Sequence, residues 1–556
     1  MNNLNFLVDV LKESPVFKTL EKNVKPGRTV CASGLSTINK SNIIYALCRL
    51  KGVTAFCLAS DEKEAQTLCN DLSCMGLRAY VYPVRDFNFL DFQSRSHEYE
   101  HARLKVLLKL LNHECDVAIA CVDAAAQLTV PRNVLEQSVI EFEEGRELSL
   151  EKATKALTLL GYERFDAVEG SGQFSLRGGI LDFFMPDSDY PVRCEFWGDE
   201  ITDLSYFDIE TQRRFKKADK ITLSPSTEIV IEDRAALADK IEHKAKLLRS
   251  KNSAKAKEKL FSEAELIRSG AMIANADKFI NQIYDKPESL FDYLDRNTLV
   301  FASEFTAIQE RGKSMDFISN ETLMQGFEDG TLCRGFDRFA LTFNECTEFL
   351  QSHGTIVLEN FVHGSMPIKL SEIISFSTKQ LSAWGGSYKQ LKEDVDGLFT
   401  PESKGVIFAG TERAAKNLCD TFNADGINAV YSEGADKISK GELLVMQGAL
   451  SAGFEYPSQK FFAITYSQVS YRPEKSKKKK KRTGQEIYSL SELAPGDYVV
   501  HNVHGIGVFG GIRKIDTHGV IKDYIKIDYA KGDVLYVPVT QLDICLLYTS
   551  PSPRDA

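Results

Sequence analysis

The residues best placed to do chemistry come early, in the run Gly34-Leu35-Ser36-Thr37-Ile38-Asn39-Lys40-Ser41. It follows a short apolar run over 29–32 and precedes a helical pattern over 42–50. That is the frame of a phosphate-binding loop, G-x-x-x-x-G-K-[ST]. Its backbone N–H groups cradle phosphates, its lysine reaches the outer ones and its hydroxyl helps hold magnesium. The frame is imperfect. Asn39 stands where the second glycine belongs, so the backbone is less free to wrap an anion, although asparagine enters positive φ more readily than most residues. Hydrolysis also asks for an acidic pair at a strand end to hold magnesium, and the run 117–122 leads only into Asp123-Ala124. Gly34, Asn39, Lys40 and Ser41 are therefore read as a degenerate nucleotide loop that does not hydrolyse ATP. No catalytic residue is assigned.

His97-Glu98-Tyr99-Glu100-His101 fits the zinc-hydrolase pattern H-E-x-x-H. Its flanks, Arg95, Ser96 and Arg103, are polar, and the apolar stripe begins only at Leu104. The segment is read as a solvated first helical turn, with no metal. The 12 cysteines are scattered, mostly inside apolar runs, with no C-x-x-C pair. They are expected to be buried free thiols in a reducing cytoplasm.

A third group recognises rather than reacts. Arg164, Arg177 and Arg193 fall on short alternating runs, with Phe196 and Trp197 close by. Arginine presents a flat bidentate fork, and arginine with an aromatic on one face is a common hot-spot composition. The alternative is a plain antiparallel sheet.

These groups need elements to hold them. Residues 28–125 alternate apolar runs (53–59, 79–82, 117–122) with helical stripes. Asp61 opens one helix, with Glu64 at capping-box spacing. This order implies a parallel sheet covered by helices. Runs at 173–177, 180–184, 192–197 and 201–207, with Gly178-Gly179 as a two-residue turn, imply an antiparallel module. Residues 232–295 read as charged helices, 298–345 as short strands and turns, and 404–470 as a second α/β unit. Lys475 to Arg482 is a basic run read as a linker. Strands at 498–501, 508–512, 524–529 and 534–537 then suggest a small SH3-like barrel, with residues 513–519 between its second and third strands and Ile515 there read as an exposed apolar anchor, the alternative being a residue of the barrel's small core. Residues 545–556 break the pattern and are expected to be a non-native tail.

The fold class is thus multidomain α/β: a degenerate helicase-type α/β domain with an inserted antiparallel α+β domain, a second α/β domain and a small SH3-like β-barrel. The expected bounds are 1–125 and 215–348 for the two parts of the first domain, 126–214 for the insertion and 349–470 for the second α/β domain. The linker is 471–487 and the barrel 488–544. A net charge of −10 argues against a surface that is basic all over, and no apolar run reaches the ~18 residues a membrane span needs.

Three sets of residues carry a resemblance to the transcription-repair coupling factors. Residues 161–213, with Gln173-Phe-Ser-Leu-Arg-Gly-Gly-Ile-Leu-Asp182 and Glu195-Phe-Trp-Gly-Asp-Glu200, resemble the second domain that family shares with UvrB. Tyr82-Pro83-Val84-Arg85-Asp86 and Arg103-Leu-Lys-Val106 resemble its first domain. Gly496-Asp-Tyr-Val-Val-His501 to Gly507, with Tyr536-Val-Pro538, resemble its RNA-polymerase-interacting domain, of the CarD type. The resemblance implies UvrA binding through Arg164, Arg177, Arg193 and Phe196. It implies contact with the RNA polymerase β subunit through Lys514 and Ile515. It further implies that ATP, magnesium and double-stranded DNA are used by a translocase motor following the barrel and lying beyond this chain. A UvrB-type ATP-dependent damage-recognition helicase subunit is the alternative, and a zinc metallohydrolase the more distant one.

Overall fold

The computed structural model describes residues 4–85, 97–248, 253–270, 276–361, 366, 368–384 and 388–466. Towards the C-terminus it describes 485–486, 498–501, 505–517, 520–529, 534–538 and 545–547. The chain divides into two compact units, 1–471 and 472–556.

The first unit is built on a seven-stranded sheet. Its order is Glu372–Ser375, Val30–Ser33, Thr355–Leu358, Leu299–Ser303, Ala55–Ala59, Val117–Cys121, Ala79–Tyr82, and every pairing is parallel. The strands are apolar on both faces, as a sheet covered on both sides demands. Successive residues feed opposite cores. Ala55, Cys57 and Ala59 join one, with Val117, Ile119 and Cys121. Phe56, Leu58, Ala118 and Ala120 join the other.

The strands at 355–358 and 372–375 belong to this sheet, so a second domain does not begin at 349. Nor does the second α/β unit stand apart. Its six-stranded sheet runs Lys379–Leu381, Gly453–Tyr456, Phe461–Thr465, Lys404–Phe408, Glu442–Met446, Ala429–Ser432. Val406, Phe408, Leu444, Met446 and Phe454 share one core with Ile38, Ile43 and Leu47 of the helix Thr37–Lys51 and with the N-terminal helix Asn5–Lys12. The helix Thr37–Lys51 is consequently buried without a break from Ile38 to Cys48.

Residues 298–345 differ from the expected strands and turns. After the strand Leu299–Ser303 comes a 25-residue helix, Phe305–Asp329. Gly312 lets the helix approach its neighbour, because a Cβ at that position would collide with the Phe343 ring. Exposed Phe317, Ile318 and Met324 blurred the helical stripe.

The antiparallel module is a six-stranded sheet ordered Arg214–Lys217, Glu200–Phe207, Val192–Trp197, Ile180–Phe183, Gln173–Arg177, Glu163–Arg164. The helix Leu150–Leu159 and a two-stranded ribbon, Ile140–Glu143 with Lys220–Leu223, complete it. Its core takes in Phe142 at one end and Leu223 at the other. Leu128, Val130 and Leu135 belong to the parallel-sheet core instead. The packed module therefore spans 140–223 where 126–214 was expected, because its closing strand pairs with its opening one.

The second unit is a six-stranded antiparallel sheet ordered Gln485–Glu486, Cys545–Leu547, Tyr498–His501, Gly505–Thr517, Val520–Asp528, Val534–Pro538. Two of its strands are much longer than expected. Residues 513–517, read as part of a connection, continue the strand Gly505–Thr517 and pair with Val520–Asp528. Cys545–Leu547, expected in a non-native tail, pairs with Tyr498–His501. Residues 475–482 and 518–519 lie outside the described residues.

Candidate functional site

Parallel strands place their C-terminal ends along one crevice, the usual seat of a nucleotide in such a sheet. Four of the ends here are Ser33, Ala59, Ser303 and Leu358, and the sequence loop lies among them. The helix begins at Thr37, so Asn39, Lys40 and Ser41 are already helical. Gly34 has φ +77, and a Cβ there would collide with the carbonyl of Phe376. Three of the loop's amides are engaged within the chain. Gly34 N donates to Asn360 O at 3.2 Å, Leu35 N to Glu359 O at 3.1 Å and Lys40 N to Ser36 O at 2.9 Å.

Lys40 is 2% exposed. Its ammonium donates to Glu304 Oε1 at 2.6 Å, Ser303 Oγ at 2.9 Å and Glu64 Oε1 at 3.3 Å. Three donors meet three acceptors. Burial would raise the Glu64 carboxyl, but Lys40 and the hydroxyls of Ser303 and Ser60 outweigh it and hold the group below its ordinary range. Glu64 does not complete a capping box. Its backbone N donates to Asp61 Oδ1 at 2.7 Å, while its side chain accepts from Ser60 N and Oγ.

Glu304 caps the following helix in a left-handed backbone, φ 55, which costs a non-glycine residue energy. That turn sets its carboxylate against Lys40 and against Asn360 N at 3.0 Å. Glu359, fully buried beside it, accepts from Phe305 N at 2.8 Å. Burial, then the neighbouring Glu304, pushes the Glu359 carboxyl up to about 7. The would-be magnesium ligands point elsewhere. Ser41 Oγ donates to Thr37 O and to Asp71 Oδ2, at 3.2 and 3.3 Å. Asp123 is held by Arg311 through bonds of 3.0 and 2.7 Å.

The His97–His101 segment lies at the seam between the parallel sheet and the antiparallel module. Its working residue is Glu100. The Glu100 carboxylate accepts from Thr227 Oγ1 and Glu228 N, both at 2.8 Å, and lies 2.9 Å from His97 Nδ1. Arg103 is fully buried. Its Nε donates to Glu228 Oε1 at 2.6 Å, its Nη1 to Gln127 Oε1 at 2.7 Å, and its guanidinium lies 4.2 Å from the Tyr82 ring centre. Arg85 pairs with Asp277 and approaches Glu100 at 3.4 Å. This network ties the segment that leaves the module after Leu223 to the first domain. Among the described residues no group of three His, Cys, Asp or Glu side chains could hold a metal ion. The eleven cysteines from Cys31 to Cys419 are free thiols, and all but Cys74 are buried.

The module's outer face carries the arginines. Along Val192–Trp197, Val192, Cys194 and Phe196 face inward while Arg193, Glu195 and Trp197 face outward. Asp182, 1% exposed, is the hub. It accepts from Arg193 Nε and Nη2 and from Arg177 Nη2, each at 2.8 Å. Arg193 also donates to Gln212 O and Oε1, and its guanidinium lies 4.4 Å from the Phe207 ring centre. The side chain of Arg177 is 50% exposed. Arg164 is exposed on Glu163–Arg164, which pairs with Gln173–Arg177. Phe196 is 8% exposed and part of the core, so it does not share a face with the arginines. The aromatic that does is Trp197. Strict alternation from Arg193 was the signal that separates the two.

Lys514 and Ile515 lie on the strand Gly505–Thr517, in register with Asp523 and Lys522.

Residues 140–229 match the family described as the UvrB interaction domain. Residues 493–548 match the CarD-like/TRCF RID domain, a match that takes in Cys545–Leu547. Over 98% of its length the chain is 29% identical to the transcription-repair-coupling factor of Bacillus subtilis strain 168, of which it covers 47%. It is 27% identical to that of Staphylococcus epidermidis ATCC 12228, over 85% of this chain and 41% of the relative. For Staphylococcus aureus MRSA252 the figures are 24%, 99% and 48%. The chain spans about half the length of the curated relatives it matches. Among the described residues no helix is long and apolar enough to cross a membrane.

Proposed function

We propose that this chain is the recruitment portion of a transcription-repair coupling factor acting in the cytoplasm: it brings UvrA to an RNA polymerase stalled at a DNA lesion. The observation that carries the reading is the presence on one chain of a UvrB interaction domain and a CarD-like/TRCF RID domain. A UvrB-type helicase subunit accounts for the first of these and leaves the second without a role.

The two surfaces divide the work. The outer face of the 140–229 module binds UvrA, with Arg164 and Arg177 presenting charge and Arg193 holding Asp182. The second unit closes into an SH3-like barrel, and its strand bearing Lys514 and Ile515 meets the polymerase β subunit, Ile515 giving an apolar anchor beside paired backbone. Release of the polymerase by ATP-driven translocation along double-stranded DNA is the work of the full-length relatives. The crevice at Lys40 takes no part, because its cation and the amides of Gly34, Leu35 and Lys40 are already satisfied within the chain.

Titration of the chain with UvrA, and separately with the polymerase β subunit, tests this. Both should bind, and Ile515→Arg should abolish β-subunit binding while leaving UvrA binding and the melting transition intact. Failure of wild type to bind UvrA, or of Ile515→Arg to change β-subunit binding, removes the corresponding half of the proposal.

A further inference from the structure

Among the described large hydrophobic residues Trp197 is the most exposed, at 81%. We infer that Trp197 is the apolar anchor of the UvrA-facing surface, a role that the family resemblance would have given to Phe196. The inference rests on the proposed UvrA reading and assigns that surface a further residue.

The strand pattern puts the indole there. Trp197 ends its strand and pairs with Glu200 across the turn Gly198-Asp199, where Gly198 has φ +65. A hairpin end leaves the ring beyond the cover of the sheet. It lies two residues past Glu195 and four past Arg193, on the same face of the strand. Across the sheet Glu195 is in register with Ile180, and Ile180 with Arg177. Arg177 and Trp197 therefore sit at the same end of the sheet, beside neighbouring hairpin turns.

The chemistry of the pair defines what it fits. Arg177 is fixed by one bond to buried Asp182 and keeps half its side chain in solvent. A guanidinium oriented before contact loses little freedom on binding. Tryptophan beside it offers a large rigid area with two rotatable bonds, the composition that carries most of the energy in alanine scans. The matching patch on UvrA is an apolar recess next to a carboxylate. Phe196 cannot serve, because its ring is packed with Leu181, Cys194 and Ile201.

The test uses the full chain, with the polymerase β subunit as a second ligand that reports an intact protein. Trp197→Ala should weaken UvrA binding by roughly tenfold or more. Its melting temperature and β-subunit affinity should stay at the wild-type value. Trp197→Phe should restore most of the UvrA affinity. Phe196→Leu should lower the melting temperature and leave the UvrA affinity of the folded protein unchanged. Unaltered UvrA affinity in Trp197→Ala overturns the inference but leaves the UvrA reading standing. Absence of UvrA binding by wild-type chain removes the reading itself.

Discussion

The crevice and the outer face of the antiparallel module are made from the same parts and do opposite things with them. Each gathers cationic side chains around carboxylates at a sheet. In the crevice Lys40 meets Glu64, Ser303 and Glu304, which take all its donors, and the cation itself is buried. On the module the carboxylate, Asp182, is the buried member, and of the two arginines that hold it Arg177 keeps half its side chain in solvent. A cation whose donors are spent inside the fold serves stability. A cation steered by a buried acid toward solvent is available to a partner. The direction of burial separates the two roles, and residue type does not.

The largest expected effect tests the crevice. Lys40→Met removes the ammonium shared by Glu64 and Glu304, leaving largely buried charge uncompensated. Loss of one partner of a buried pair costs about 3–5 kcal/mol. Urea unfolding of the chain should show a loss in that range. A loss near zero would mean that water already reaches Glu64 and Glu304, and the comparison would fail on its stronger side.

Glu359 sharpens the same side through pH. Its folded carboxyl is raised to about 7, against an ordinary 4.5. The folded state therefore holds a proton that the unfolded state has given up between those values. The associated stability is complete below pH 4.5 and is lost as pH rises through about 7. Glu359→Gln keeps the protonated shape and should not suffer that loss. Relative to wild type it should gain up to about 3 kcal/mol between pH 5 and pH 8. Asp71, raised to about 6 by burial, titrates in the same sense in both proteins and cancels from the difference. Parallel stability curves for the two proteins would show that Glu359 is charged throughout.

On the module face the effect moves from folding to binding. Arg177→Ala leaves Asp182 with both of its bonds from Arg193, so stability should fall by less than about 1 kcal/mol. UvrA affinity should drop tenfold or more, about 1.4 kcal/mol, since an oriented arginine at an interface is worth at least that. Arg193→Ala should do the reverse in part, costing more in the melting transition, because Arg193 also holds Gln212 and packs on Phe207. If Arg177→Ala unfolds the module, its arginine is structural and the contrast with Lys40 disappears.

Much of the molecule was legible in advance, and the misses share a cause. The module strands followed from period-two alternation, and the parallel sheet from apolar runs alternating with helical stripes. Local patterning does not report which sheet a strand joins, so 355–358 and 372–375 were assigned to the wrong unit. The Gly34 loop was read as degenerate from Asn39 and from the missing acidic pair at Asp123-Ala124. Ser303, Glu304 and Glu359, which fill it, lie over 250 residues away in sequence, each at the end of an apolar run that carried no sign of its destination. Glu228 and Asp277, which receive Arg103 and Arg85, lie 125 and 192 residues from them in sequence. Phe196 was placed on the arginine face for a different reason. A motif transfers residue type, and only the alternation along the strand tells inside from outside.

The smallest expected effect is none at all, and it bears on whether the crevice is closed or merely idle. A nucleotide at one hundred times its Kd would add about 2.7 kcal/mol to stability, which a thermal melt would register. ATP with magnesium should leave the melting temperature unchanged. To bind phosphate, the loop would have to release Gly34 N and Leu35 N from the 359–360 backbone and free Lys40 from Glu304 and Glu64. It would also have to unwind the helical turn at Asn39 and turn Ser41 away from Asp71. Each exchange replaces a buried bond already made, so the ligand would gain little and the fold would lose much. A rise in melting temperature with ATP and magnesium that disappears in Ser41→Ala would show that the loop still opens. Lys40 would then be a gate rather than a strut.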